Sequence, residues 1–247
     1  MNIKLILITW SYEDFFDLKN TPIYKSYIIN NSEKNLIHFH FNRNNFINLE
    51  QEFNERFGHQ YDFLLYRIYL IRDKLKNVES DFFIFSDVND VVCFGDILDI
   101  KNINSITFSA ERHQYPNNTN DWIPVNSYPI SNIKSNTFLN AGLQISKKQD
   151  YLNLLDSVIE NILSLNLKNF GGDQGVYTFH FINDLNPKIN LDEDRDIFVS
   201  TYFTSHDWYE VNDGKIIYKP TNKMPMFLHD NGWNYGSPKI IENFKLV

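Results

Sequence analysis

Short apolar runs recur along the chain with helical or polar segments between them, and the period of each run predicts its element. Lys4 to Thr9 (KLILIT) is almost continuously apolar and dense in Ile and Leu, which predicts a strand buried on both faces. Ile23 to Ile29 and Leu36 to Phe41 read as further strands. Phe63 to Leu75 is apolar almost all round, which predicts a buried helix ending near Lys76 and Asn77. Phe82 to Phe85 and Ser105 to Ala110 are strand-like. Over residues 149 to 167, Leu152, Leu155, Ile159, Ile162 and Leu163 share one face of an amphipathic helix. Ile197 to Val199, Ile216 to Tyr218 and Met226 to Leu228 complete the series as late strands. Strands alternating with helices predict an α/β fold with a doubly wound sheet, mostly parallel in its N-terminal half. No repeat or low-complexity linker interrupts the pattern, so residues 1–247 are expected to form one domain. The longest non-periodic stretch, Arg112 to Asn136, contains three prolines. A loop of about 25 residues inside a compact domain is usually functional or mobile, and here it is expected to cover an acceptor.

Composition narrows the function classes. A formal charge of -8, with Lys scattered among Asn, Asp and Glu, argues against a nucleic-acid or anionic-membrane surface. The single cysteine, Cys93, excludes an internal disulfide and a Cys-based zinc cluster, and its apolar surroundings predict a buried, inert thiol. The N-terminal apolar run is too short for a signal peptide, and no segment is long enough to span a bilayer. The expectation is a soluble protein of a reducing compartment, the cytoplasm. Its oligomeric state is not legible in the sequence.

The sharpest local feature is DFFIFSDVNDVV, residues 81 to 92. A fully apolar strand ends in two carboxylates, Asp87 and Asp90, three positions apart. Open α/β sheets bind ligands beyond the carboxyl ends of their strands, so both acids are expected to face that crevice. Hard divalent cations such as Mn²⁺ or Mg²⁺ take oxygen ligands, with substrate phosphates often completing the shell. A second apolar strand, PMFLHDNGWNYG, ends in His229, Asp230, Asn231 and Gly232, and its imidazole is a candidate ligand for the same ion. GGDQGVY places Asp173 and Gln174 just after a glycine pair, where backbone approaches a ligand closely or simply turns.

Six blocks in order, FIFSDVNDVV, ITFSAERHQYP, FLNAGLQI, GGDQGVYTFHF, INLDEDRDIF and MPMFLHDNG, carry a family resemblance along nearly the whole chain. The chain resembles the glycosyltransferase domain of the procollagen lysyl hydroxylase family, of the GT-A class. The resemblance implies a GT-A-like fold, a Rossmann-like mixed sheet flanked by helices, acting on a nucleotide-diphospho-sugar. It implies that the D-x-x-D motif falls on Asp87 and Asp90, and that the H-x-N-G motif falls on His229, Asn231 and Gly232. On this reading Asp87, Asp90 and His229 hold Mn²⁺ (or Mg²⁺), while Asn231, Gly232 and Val88 lie near the donor diphosphate. Thr9, Trp10 and Ser11 occupy the stretch that holds uridine. Glu111 and Tyr115 match an acid and aromatic of the second block. Asn140, Asp173 and Gln174 match the third and fourth blocks, on the sugar and acceptor side.

The sequence also departs from the family pattern. Gly171 and Gly172 stand where the family has an acidic cluster, and GHQYDFLLYR replaces a Gly-rich turn with a Lys, leaving Arg67 to supply the positive charge. Trp233, Asn234 and Tyr235 stand where a Lys follows the H-x-N-G motif, and Trp233 is assigned to the substrate side. No His-x-Asp iron-binding pair occurs in these residues, so the hydroxylase half is expected to be absent. The expected activity is metal-dependent transfer of galactose or glucose from a UDP-sugar to a protein or glycan hydroxyl, with Asp173 and Glu111 as catalytic candidates. A non-catalytic glycan or nucleotide-sugar binding module and a nucleotide-sugar or phosphoester hydrolase stand as alternatives.

Overall fold

The computed structural model of the chain describes residues 2–42, 44, 47, 51, 63–101, 103, 105–111, 138–165, 172–186, 188–202 and 204–231. Its centre is a six-stranded sheet built from β1 (Ile3–Ser11), β2 (Leu36–Asn42), β3 (Phe82–Ser86), β5 (Ile106–Glu111), β6 (Phe138–Lys147) and β7 (Ile189–Asp192). The spatial order is β2-β1-β3-β6-β5-β7. β1 pairs in parallel with β2 and β3, and β5 with β7, whereas β6 runs antiparallel to both β3 and β5. Five strands therefore point one way and β6 alone points back. The parallel β2-β1-β3 part agrees with the reading of the N-terminal half. The central antiparallel strand is absent from that reading, although Leu139, Ala141, Leu143 and Ile145 alternate with Asn140, Gly142, Gln144 and Ser146 at the period of a strand.

β1 shows why the first apolar run is continuous. Ile3, Leu5 and Leu7 pack on one face of the sheet, with Ile23, Tyr27, Phe198 and Phe227. Ile6 packs on the other, with Ile68, Leu75, Phe83 and Leu155. Both faces are covered, so neither set can be polar. The second of these layers comes from helices α2 (Phe63–Lys76), α3 (Lys148–Leu165) and α4 (Gly172–Ile182). The first comes from helix α1 (Pro22–Asn30) and a small sheet of β4 (Val91–Cys93), β11 (Phe227–His229) and β8 (Phe198–Ser200), in the order β4-β11-β8. β9 (Tyr209–Asn212) and β10 (Lys215–Tyr218) form an antiparallel hairpin.

One expected strand is a helix. Ile23 to Ile29 lies in α1, which starts with Thr21 as its cap and Pro22 in the first turn, the Tyr24 amide donating to Thr21 Oγ1 at 3.4 Å. A capping hydroxyl followed by proline is a strong helix start, and it outweighs the β-branched content of the segment. Ile23 and Tyr27, four apart, then fall on the buried face. Cys93 is buried, and burial pushes its thiol up to about 12, as befits an inert core cysteine. No described helix is long and apolar enough to cross a membrane.

Candidate active site

The carboxyl edge of the sheet gathers the chemistry. β1 ends there at Thr9–Ser11, β3 at Ser86 and β5 at Glu111; because β6 is reversed, its start, with Asn140, reaches the same edge. Asp87 follows β3 directly, and its amide donates to the Gly142 carbonyl at 2.8 Å, extending the pairing by one residue. Asp90 immediately precedes β4. The antiparallel register of β4 and β11 sets His229 opposite Val91, and the Asp230 amide donates to the Asp90 carbonyl at 2.7 Å. Two independent strand pairings thus bring Asp87 and Asp90 to His229, which lies 142 and 139 positions further along the chain.

The result is an Asp-Asp-His cluster. His229 Nε2 lies 3.5 Å from Asp87 Oδ2 and 3.4 Å from Asp90 Oδ1, and one ligand atom from each residue falls within 4.8 Å of the others. His229 is buried, Asp90 is partly buried and the Asp87 side chain is half exposed. Two carboxylates and one imidazole on one side, with the other side open to a cleft, fit a divalent cation that keeps positions for phosphate oxygens. Burial works to lower the His229 imidazole, yet the charge and hydrogen bond of Asp90, with Asp87 and Glu111 beyond, raise it to about 9.

Behind the cluster lies a buried polar network. Asn140 Oδ1 meets His229 Nδ1 at 3.0 Å and accepts from the Gly142 amide at 2.9 Å. The Asn140 amide nitrogen donates to Glu111 Oε1, and Asn231 Nδ2 donates to the same oxygen at 2.9 Å. Ser200 in turn donates to Asn231 Oδ1 at 2.8 Å. Glu111 is 1% exposed; burial raises its carboxyl to about 7 against the two amides and the charges of His229 and Arg195. That value suits a proton acceptor near neutrality. Among the described residues its Oε2 accepts no hydrogen bond.

Gly142 explains why the cluster can form. A Cβ built on it would stand 2.6 Å from Asp87 Oδ2 and 2.8 Å from His229 Nδ1, well inside any real contact distance. The backbone reaches this position through an irregularity in the β5–β6 pairing: Phe108 faces Gln144, but the next residue, Ser109, faces Asn140. The intervening β6 residues bulge at the sheet edge beside the site. A glycine inside a strand-like block is the signal that marks such a close approach, and the sequence reading passed over it.

The open side of the cluster is a cleft of about 300 Å³, lined among others by Arg67, Glu111, Asn140, Asp173, Gln174 and Tyr202. Asp173 and Gln174 sit in the first turn of α4, where the helix dipole favours negative charge. Gln174 Oε1 accepts from the Ala141 amide at 3.2 Å. Arg67, from α2, forms an ion pair with Asp173, and its guanidinium lies over the Trp10 ring at 4.2 Å from the centroid. Trp10 and Asp173 therefore meet at one cation. Thr9 turns inward, its hydroxyl 2.7 Å from His38 Nε2 and 2.9 Å from His40 Nδ1. Ser11 is held in a local turn by Glu13. The Val88 side chain packs in the core with Ile84 and Leu143, so only its backbone can face a ligand. Tyr115, Gly232, Trp233 and the loop 112–136 lie outside the described residues. Tyr202, just after β8, lines the cleft without any sequence signal having marked it.

A mixed sheet with this crevice defines an α/β domain of the GT-A type. A solved structure, titled "Crystal structure of a glycosyltransferase involved in the glycosylation of the major capsid of PBCV-1", is similar in fold: TM-score 0.50 at 10% identity, covering 98% of each chain. No curated protein matches the chain. The sequence model of the PLOD GT domain matches residues 58–244. The chain belongs to that family of glycosyltransferase domains.

Proposed function

We propose that the protein transfers galactose or glucose from a UDP-sugar to a hydroxyl of a collagen-like protein or a glycan, in a reaction that needs Mn²⁺ or Mg²⁺. The observation that carries this reading is the Asp87–Asp90–His229 cluster at the edge of a cleft holding Arg67 and Asp173. A divalent cation held by those three side chains supplies charge neutralisation for the departing nucleoside diphosphate. Arg67 adds a second positive charge on the same side, in the place left by the absent glycine-rich turn. Trp10 offers a flat indole face for the nucleoside, and Asn231 a polar edge near the diphosphate. Asp173 and Glu111 are the groups available to orient the acceptor hydroxyl and take its proton, Asp173 from the cleft wall and Glu111 from its buried floor. Gln174, Tyr115 and Trp233 complete the sugar and acceptor side in this proposal.

The test is a panel of nucleotide-sugars, each assayed with and without Mn²⁺ for release of the nucleoside diphosphate. Mn²⁺-dependent release from one UDP-sugar, lost in a folded Asp87→Ala variant, is the expected result. Release that persists undiminished in Asp87→Ala, or binding without release from any donor, would overturn the transferase reading, the second in favour of a binding module.

A further inference from the structure

We propose that Asn140 is a positioning residue of the metal site: it holds His229 in the tautomer that carries its proton on Nδ1, so that Nε2 is presented to the cation. The inference rests on the metal-dependent reading above and moves Asn140 from the substrate to the back of the metal cluster.

The argument starts from a group whose role admits no choice. A backbone N–H can only donate, and the Gly142 amide points at Asn140 Oδ1 from 2.9 Å. That atom is therefore the carbonyl oxygen of the Asn140 side chain, and the other is its NH₂. The far side agrees, since the NH₂ meets Glu111 Oε1, an acceptor. Glu111 is itself held in place by Asn231, which is oriented by the Ser200 hydroxyl. Flipping the Asn140 amide would set NH₂ against the Gly142 amide and oxygen against carboxylate, two losses at residues only 3% and 1% exposed.

With its orientation settled, Oδ1 has one lone pair left, and His229 Nδ1 lies 3.0 Å away. An amide oxygen accepts and cannot donate, so the hydrogen of that bond belongs to Nδ1. In the neutral ring the free lone pair then sits on Nε2, the nitrogen that faces Asp87 and Asp90. Without Asn140 the neutral imidazole could place its proton on either nitrogen, and one of the two forms is unable to bind metal through Nε2. The β6 irregularity at residues 141–143 makes this possible, because it lets one side chain reach its own strand's amide and the histidine of β11 together.

The experiment compares Mn²⁺ dissociation constants, measured from free Mn²⁺ by electron paramagnetic resonance, across wild type and variants, each with a thermal unfolding curve. Asn140→Ala is expected to weaken Mn²⁺ binding roughly 10- to 100-fold, the usual effect of losing an outer partner of a metal-bound histidine. The donor KM at saturating Mn²⁺ should change far less. Long-range ¹H–¹⁵N NMR of the His229 ring in the metal-free wild type, at a pH above its raised value of about 9, carries the test if Asn140→Ala does not fold: a proton on Nδ1 is expected, and a proton on Nε2 would overturn the proposal. Wild-type affinity in folded Asn140→Ala, with the loss appearing in donor KM instead, would overturn the positioning role and leave the metal site standing. Absence of Mn²⁺ binding in the wild type would remove the metal reading and this proposal with it.

Discussion

Arg67 is paired with Asp173 and its guanidinium carbon stands over the Trp10 ring, 4.2 Å from the centroid, so a single guanidinium joins the carboxylate at the head of α4 to the aromatic residue near the end of β1. Both Arg67 and Asp173 are largely shielded, at 17% and 14% side-chain exposure. A negatively charged diphosphate entering the cleft would compete with Asp173 for that cation.

This geometry predicts different outcomes for two substitutions. Arg67→Lys keeps the charge but not the guanidinium contact over Trp10 or the forked donors. It should raise donor KM several-fold with kcat nearly preserved. Arg67→Ala should raise KM at least 10-fold, since one charge-assisted contact is worth about 1.5–3 kcal/mol. Steady-state kinetics against a single UDP-sugar decide the matter. Equal KM in all three proteins would show that Arg67 serves Asp173 alone.

Gly142→Ala is predicted to eliminate metal binding without unfolding the protein. The added methyl would overlap Asp87 Oδ2 and the His229 ring, and neither can retreat far while β3–β6 and β4–β11 pairing hold them. Overpacking of this kind typically costs 1–3 kcal/mol, tolerable for a domain of ordinary stability. The checks are Mn²⁺ titration and a melting curve on the same sample. Retained Mn²⁺ affinity in Gly142→Ala would mean that the close approach is not needed for the site.

Metal affinity should also rise with pH. With His229 raised to about 9, the metal-free site at pH 7 carries a proton that a cation must displace. Apparent Mn²⁺ affinity is therefore expected to climb about tenfold per pH unit from 7 toward 8 and to level off near 9. The metal-free fold shows the opposite trend. A histidine raised in the folded state contributes its stability in full below the unfolded value of 6.5, and that stability is lost as pH rises to about 9. Calorimetry in two buffers of different ionisation enthalpy measures the released proton directly. Binding with no proton release at pH 7 would exclude His229 as the ligand that changes charge.

Much of this was legible in the chain itself, wherever local chemistry sufficed. β1, β3 and α3 follow from runs whose period or continuous apolarity matches their burial. β2 and α2 form where the runs predict them, but β2 is mostly half-buried and α2 buries only Ile68, Ile71 and Leu75 among its described side chains. The D-x-x-D turn after β3 and the histidine at the end of β11 stood out because apolar strands ending in polar groups are costly unless those groups face solvent or a ligand. Where a local signal was misread, as at α1, the capping Thr21 and Pro22 were present and were outweighed by Ile and Tyr content.

Tertiary structure alone decided the rest. Nothing in FLNAGLQI announces a strand that runs against the five others of its sheet, because strand direction depends on which partners are available and not on side-chain period. That reversal carries Asn140 to the same edge as Asp87 and His229, and the β6 irregularity then lowers Gly142 between them. Contacts such as Asn140 with His229, 89 residues apart, or Asn231 with Glu111, 120 apart, are set by sheet pairing. Sequence names the donors and acceptors; only the fold determines which of them meet, because a hydrogen bond requires separations near 3 Å that no one-dimensional spacing encodes.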